Sequence, residues 1–431
     1  MADGIRYMLR RILCPRVKSR EIVRETVAWS VQQRIDEIMW LPETSGMDRE
    51  LLPLSEVREI VENMTFARQR CEDAGIAFSI DPHYSLGHRD SQHDVKRAHP
   101  EIETLVDYTG AVSEACACPL SPVWQELIKD TFTLYAETRP VRLWVQDDFR
   151  YFNHRPNITY GCYCPRHMAA FGARLGRTVN REELVEKLLR PGAPHPWRTA
   201  WLDFLEETMV EVGHMIRESV HRVSPSTELG WMTAYAEHYE IEGRRYFPQL
   251  EGLAGKGSAA IRLKTTPRSE VKHVDLLRGD ADEKKVIPQL PAGTTRCSEI
   301  DMIPYTGYRA SAARIAAQIE WACVLGCPNH TMNLFDYLGT PTSESPEYNK
   351  MLRNRKEEFS AFADTFGELS RFHGIGIPSD PSSARYVYAD EGQEGLRRLS
   401  PREGGWLNPL RAFGMPIHHT KEASVTAVTG Q

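Results

Sequence analysis

The chain has 431 residues, a formal net charge of -6 with the two signs interspersed, and 41% hydrophobic and 26% charged residues. That length accommodates one large α/β barrel with an appendage, or two to three ordinary domains. With no basic field and no aromatic residues interleaved with Lys/Arg clusters, the composition argues against nucleic acid or a membrane surface as a partner and for a small polar substrate or a protein partner. The opening run MADGIRYMLRRILCPRVKSRE has no apolar core followed by a small-residue cleavage site, and no stretch of about 18 uncharged apolar residues occurs, so a soluble, cytoplasmic protein is expected. Nine cysteines, an odd number, do not form a secreted disulfide framework. Cys14, Cys71, Cys297, Cys323 and Cys327 read as reduced and mostly buried, which leaves four that need another account.

Short β-rich runs alternate with amphipathic stretches along the chain. The predicted strands are RYMLRRIL (6–13), IDEIMWL (35–41), IAFSID (76–81), VRLWVQD (141–147), ELGWMTA (228–234), SAAIRLK (258–264), RCSEIDM (296–302) and HTMNLFD (330–336). Helical periodicity fills 18–33, 55–74, 121–138, 165–222 with an interruption at RPGAPHP, 241–254, 283–289, 308–326 and 346–373. Strand followed by helix eight times, with no G-x-G-x-x-G after the first strand, predicts a (β/α)8 TIM barrel rather than a doubly wound sheet. The barrel is expected over 1–374. Gly and Pro then recur and the period fades, so 375–431 reads as a small appendage or the start of a further domain, with WLNPLRAFGMPI opening a helix–strand unit.

A barrel places its working groups at the C-terminal ends of the strands. Asp147 and Asp148 close the fourth predicted strand and Glu299 lies in the seventh, so all three would face one pocket despite their separation in sequence. Two carboxyl groups across a pocket are what glycoside hydrolysis requires, one to protonate the leaving oxygen and one to attack the anomeric carbon or activate water. The plainer alternative for any one of them is a helix cap or an ion pair with an arginine. The other strand ends offer Trp40 and Glu43, Asp81 and His83, Trp231 and Tyr235, Arg262, Tyr305, and Asn333 with Asp336. Aromatic faces beside charged hydrogen-bonding groups suit sugars, although either tryptophan alone is as readily a packing residue. Metal-assisted hydrolysis through Asp81, His83 and His88 is a weaker reading, because their spacing has no ligand pattern.

The remaining cysteines fall in ACACP (115–119) and in GCYCPRH (161–167). Cys162, Cys164 and His167 form C-x-C-x-x-H, and Cys116 or Cys118 would supply a further soft ligand from the preceding loop. Such a set can close a tetrahedral Zn²⁺ site that staples the two loops flanking the acid-bearing strand. Reduced thiols near a histidine are the alternative.

The order and content of ACPLSPVWQELIKD, VQDDFR, GCYCPRHMAAF, CSEIDMIPYTG and NLFDYLG resemble the catalytic barrel of glycoside hydrolase family 42, the β-galactosidase family of clan A. The resemblance covers about residues 1–374, with its diagnostic motifs confined to those runs. It implies a structural zinc on Cys118, Cys162, Cys164 and His167, the histidine standing where the family has a third cysteine. It also implies Glu299 as nucleophile of a retaining, exo-acting glycosidase. Where the family reads Asn-Glu-Tyr-Gly, this chain reads Asp147-Asp148-Phe149-Arg150, which sets Asp148 at the acid/base position and Asp147 at the residue that touches the sugar 2-hydroxyl. A shorter acid and an altered contact leave β-galactosidase specificity open. With Trp40, His83, Arg150, Trp231, Arg262, Tyr305 and Asn333 around the pair, the expected substrate is a small carbohydrate. The resemblance further implies a homo-oligomer, with a trimer first. A barrel that keeps the sugar pocket but has lost hydrolysis is the alternative function.

Overall fold

The computed structural model describes residues 4–13, 18–42, 51–82, 84–87, 95, 99–152, 160–255, 257–264, 282–301, 310–336, 340–367, 373–420 and 422–428. In chain order these give β1 (Arg6–Leu13), α1 (Ser19–Gln33), β2 (Glu37–Pro42), α2 (Leu54–Asp73) and β3 (Ala77–Ile80). A hairpin of β4 (Thr104–Val106) and β5 (Val112–Ala117) follows, then α3 (Pro122–Glu137) and β6 (Arg142–Val145). Next come α4 (Pro165–Leu175), α5 (Arg181–Leu189), α6 (Pro196–Val223), β7 (Glu228–Met232), α7 (Ala236–Ile241), α8 (Tyr246–Ala254) and β8 (Ala260–Leu263). The barrel is completed by β9 (Thr295–Asp301), α9 (Ala312–Val324), β10 (Asn329–Asn333) and α10 (Pro346–Phe366).

Eight strands close a parallel barrel in the order β1-β10-β9-β8-β7-β6-β3-β2, with β2 pairing back to β1. The (β/α)8 TIM-barrel class predicted from the alternating pattern is the observed one, and each predicted barrel strand overlaps an observed one. Because side chains alternate along a strand, each barrel strand feeds two cores. Outward residues such as Leu9, Ile38, Trp40, Ile80, Val145, Trp231, Ile261 and Ile300 join the large cluster shared with the helices. Inward residues stack in layers. Glu37, Ser79, Arg142 and Glu228 form a lower polar layer, in which Arg142 Nη1 lies 2.9 Å from Glu37 and its Nη2 2.5 Å from Glu228. Met8, Met39, Trp144, Met232, Ala260 and Cys297 form the apolar middle. Gly230 makes room there, since a Cβ on it would stand 2.4 Å from the Trp144 ring.

The β4–β5 hairpin is absent from the predicted elements: its strands are short and its alternation weak, so sequence periodicity does not reveal it. The predicted helix over 165–222 is three helices. Asn180 caps the second by accepting from the Glu183 amide at 2.8 Å, and Pro196 starts the third. The predicted 241–254 helix is likewise broken by Gly243, which has φ +72° and whose Cβ would meet Leu202 at 2.5 Å.

Beyond the barrel, β11 (Ile375–Gly376) pairs with β12 (Ile417–His418), and α11 (Gly404–Ala412) lies between them in sequence, so the helix–strand unit read at WLNPLRAFGMPI is present. This segment packs on the barrel's own helices. Arg198 of α6 donates to the Val387 carbonyl at 2.5 Å, Arg385 reaches Asp203 at 2.8 Å, and Lys285 bridges Glu240 and Glu403 at 2.7 Å each. Among the described residues no helix is long and apolar enough to cross a membrane.

Candidate active site and metal-ligand cluster

Above the apolar layer, the inward positions of the barrel strands turn polar. Arg10 from β1 holds Asp81, just past β3, with its Nε at 2.8 Å and Nη2 at 2.8 Å, and Gln146 past β6 donates to the other Asp81 oxygen at 2.6 Å. Burial pushes the Asp81 carboxyl up, and the guanidinium groups of Arg10 and Arg262 oppose that. Arg262 on β8 is ion-paired with Glu299 on β9, and its Nη2 also lies 3.8 Å from Asp147. Lys264, two residues along and therefore on the same face, places Nζ 2.7 Å from the second Glu299 oxygen. Asn333 of β10 donates to Asp301 at 3.2 Å. Glu299, Arg262, Asp301 and Asn333 are all buried. Asp147, partly exposed, also lies 3.6 Å from Arg150, whose side chain turns back onto the Asp147 and Phe152 carbonyls.

The adjacent aspartates thus have different surroundings. Asp148 is enclosed. One oxygen accepts from the Ser85 amide at 2.8 Å and the Gly87 amide at 2.7 Å, and the other accepts from the Ser85 hydroxyl. Burial raises its pKa, the three donors counter that, and the neighbouring Asp147 adds to the rise. Both Asp148 oxygens accept from the loop after β3, and Asp147 is the one of the two that lies beside Arg262, the partner of Glu299.

Two expectations are corrected by strand alternation. Trp40 and Trp231 are fully buried and point outward, into the layer between sheet and helices. Trp231 packs on Tyr239 and Tyr246, with ring centroids at 5.1 and 5.5 Å, so neither tryptophan is a sugar platform. Asp336 accepts the Thr340 amide at 3.2 Å. His83, His88, Glu43 and Tyr305 lie outside the described residues. Three groups at the site were not singled out from the sequence: Arg10, Gln146 and Lys264. Each sits two residues from an inward-facing neighbour, and a charge inside the apolar run RYMLRRIL was the available signal.

Near the aspartates, Cys118, Cys162, Cys164 and His167 bring one ligand atom each to within 4.8 Å of all the others. Local structure explains the convergence. Cys164 is the N-cap of α4, Pro165 takes the first helical position, and the Cys164 sulfur accepts the His167 amide at 3.5 Å, so C-x-x-H spans one turn. Cys118 arrives on the β4–β5 hairpin, to which the cysteine loop is stitched by Tyr163 N donating to Val106 O at 2.7 Å. Cys118 Sγ lies 3.7 Å from Cys164 Sγ and 3.8 Å from Cys162 Sγ, and His167 Nδ1 lies 3.4 and 3.3 Å from the Cys118 and Cys164 sulfurs. Cys116, the other possibility from ACACP, directs its thiol to the Gly87 carbonyl at 3.1 Å. Burial pushes the Cys118 thiol well up, while the hydrogen bond with Cys118 draws Cys164 well down. This buried Cys3His group can hold a metal ion.

No protein-family model matches the sequence, and no curated protein matches it. Solved structures do. A β-galactosidase from Rahnella sp. R3 superposes with a TM-score of 0.59 at 11% identity over 97% of this chain and 65% of its own. A catalytic mutant of Gan42B, a GH42 β-galactosidase from G. stearothermophilus, superposes with a TM-score of 0.61 at 10% identity over 99% and 66%. The PgaB (BpsB) glycoside hydrolase domain from Bordetella bronchiseptica gives 0.53 at 12% identity over 81% and 99%. The chain therefore spans just under two thirds of the length of these two β-galactosidases. Its fold is a (β/α)8 barrel like theirs, and at these identities the likeness is one of fold.

Proposed function

We propose that the chain is a divergent glycoside hydrolase acting on a small carbohydrate, with Glu299 as nucleophile and Asp147 as acid and then base. The observation that carries this reading is Arg262, one guanidinium shared by Glu299 on β9 and Asp147 past β6. One guanidinium contacting both keeps the two carboxyl groups inside the roughly 9.5 Å upper limit for glycosidase pairs, and retention calls for about 5–5.5 Å. In the mechanism, Asp147 protonates the departing oxygen while Glu299 attacks the anomeric carbon. Asp147 then takes a proton from the water that releases the sugar. Arg262 and Lys264 hold Glu299 as a carboxylate, and Asp148 serves as a positioning residue that fixes the backbone of the acid. Exo action on β-galactoside-like substrates rests on the resemblance to family 42.

A second reading has one observation in its favour. Both Glu299 oxygens are ion-paired, by Arg262 and Lys264, which weakens a nucleophile and suits a barrel that binds sugar without cleaving it. A panel of nitrophenyl glycosides separates the two. The hydrolase reading expects turnover of at least one member and its loss in Glu299→Gln, whereas binding without turnover across the panel sinks it.

For the Cys3His group we propose zinc in a structural role. In a regular tetrahedron the edge is about 1.6 times the centre-to-vertex length, so Zn–S bonds of about 2.3 Å need sulfurs about 3.8 Å apart. The two sulfur–sulfur distances given above, 3.7 and 3.8 Å, match that edge. Three thiolates and an imidazole in a buried setting leave no open position for substrate. We also propose, on the family resemblance, a homo-oligomer with a trimer first; a monomeric mass by light scattering at micromolar protein would remove that assignment.

A further inference from the structure

Between α11 and the turns after β11 lies a cleft of about 220 Å³, separate from the residues of the barrel mouth discussed above. Two partly exposed aromatic side chains stand on its walls, Tyr386 at 53% exposure and Trp406 at 41%, the latter with its Nε1 donating to the Val428 carbonyl at 3.0 Å. Its lining also includes Ser379 and Ser383, whose hydroxyl oxygens are buried and have no hydrogen-bond partner among the described residues. Ser383 is only 7% exposed. Unpaired buried hydroxyls cost free energy unless a ligand or water meets them. Asp380, Arg402 and Glu403 complete the polar lining; Asp380 accepts the Tyr386 hydroxyl, and Glu403 is paired with Lys285.

We propose that this cleft is a non-catalytic saccharide-binding site, taking one sugar unit against Trp406 and Tyr386 with its hydroxyls toward Ser379, Ser383 and Asp380. Exposed aromatic faces suit the apolar face of a pyranose. A carboxylate beside paired acceptor and donor groups suits neutral hydroxyls and disfavours a phosphate. The volume is below the roughly 300–1,000 Å³ of drug-sized sites, which fits a single ring better than a large cofactor. Pro401 and Arg402 line both this cleft and an adjoining depression that reaches Glu237, in the helix that follows the C-terminal end of β7. The cleft is thus continuous with a depression beside the helix that follows β7.

The test titrates lactose, cellobiose and N,N′-diacetylchitobiose into the full chain carrying Glu299→Gln, read by saturation-transfer NMR and calorimetry. That background removes turnover, so the outcome does not depend on whether the barrel hydrolyses glycosides. At least one disaccharide should bind, and adding Trp406→Ala or Tyr386→Ala should weaken that binding about tenfold while leaving any binding lost on Arg262→Ala unchanged. Trp406→Phe should retain it. Both aromatic positions are exposed, so at least one alanine variant will fold. The proposal is overturned if none of the three sugars binds, if both alanine variants bind like their parent, or if the alanine variants instead alter the mass by light scattering, which would make the cleft a contact between copies.

Discussion

Two adjacent aspartates with opposite surroundings set the most direct expectation at the scale of single residues. Asp147 is partly exposed beside Arg262 and Arg150, and Asp148 holds three donors in a closed pocket. Asp147→Ala should slow poor leaving groups much more than good ones, recover with added azide, and leave the melting temperature nearly unchanged. Asp148→Ala strands two buried amides and a hydroxyl, so it should cost about 2–4 kcal/mol of stability. Kinetics on paired nitrophenyl and natural glycosides, with a thermal melt of each variant, checks both; a stable Asp148→Ala enzyme that responds to azide would reverse the two roles. Glu242 gives a pH prediction. It is fully buried 3.4 Å from Arg244, and burial pushes its carboxyl up to about 7. An ordinary glutamate ionises near pH 4.3, so between about 4.3 and 7 the native state holds more protons than the unfolded chain. This group therefore makes stability fall as pH rises through that window, by on the order of 3 kcal/mol at most. Glu242→Gln cannot ionise, and its melting temperature should rise relative to wild type between about pH 5 and pH 8. Melts across that range that run parallel would refute the assignment.

At the scale of elements, the loop after β3 and the β4–β5 hairpin are one unit. Ala117 N donates to Leu86 O at 2.7 Å, Cys116 Sγ meets Gly87 O, and Trp124 Nε1 at the start of α3 donates to Ser85 O at 2.9 Å. Gly87 has φ +127°, and a Cβ there would stand 2.2 Å from the Ala115 carbonyl oxygen. Neither that backbone conformation nor that approach is open to alanine. Gly87→Ala should therefore pull the loop from Asp148 and cost at least about 2 kcal/mol, read by denaturant unfolding. Activity should fall with it, because the backbone of the acid is held through Asp148. A Gly87→Ala protein as stable as wild type would mean that the loop is not held as a unit.

For the whole molecule, the metal-ligand cluster joins elements far apart in sequence, with Cys118 on the hairpin and Cys162, Cys164 and His167 at the start of α4. A closed structural site contributes its binding energy to folding. Protein purified without added metal should carry near-stoichiometric zinc. Stripping it, or Cys162→Ser, should lower the melting temperature by several degrees, at roughly 1 °C per kcal/mol for a molecule of this size. Restored zinc should reverse the first and not the second. Elemental analysis without zinc, or a melt indifferent to chelator, counts against the assignment. The barrel and the appendage are likewise tied by Lys285, which Glu240 and Glu403 hold far in its charged range against the cost of burial.

How much of this was legible in the sequence follows from the range of each signal. Periodicity is local: eight β-rich runs alternating with amphipathic helices fix the barrel, and C-x-C-x-x-H at a helix start fixes three of the four metal-ligand positions, because one helical turn brings its ends together. The proximity of Glu299 and Arg262 follows from closure of the sheet, which sets β8 beside β9. What periodicity leaves undecided is the face a residue takes where a strand gives way to a loop. Trp40 and Trp231 lie within their strands, and only the register of the closed sheet sends them outward. Asp147 and Asp148 follow the last residue of β6, where alternation ends and hydrogen bonds take over, so the amides of Ser85 and Gly87, more than 60 residues earlier, enclose Asp148 while Asp147 lies beside Arg262. The hairpin that selects Cys118 over Cys116 is held by contacts distant in sequence, and a short strand pair of that kind has no period of its own to read.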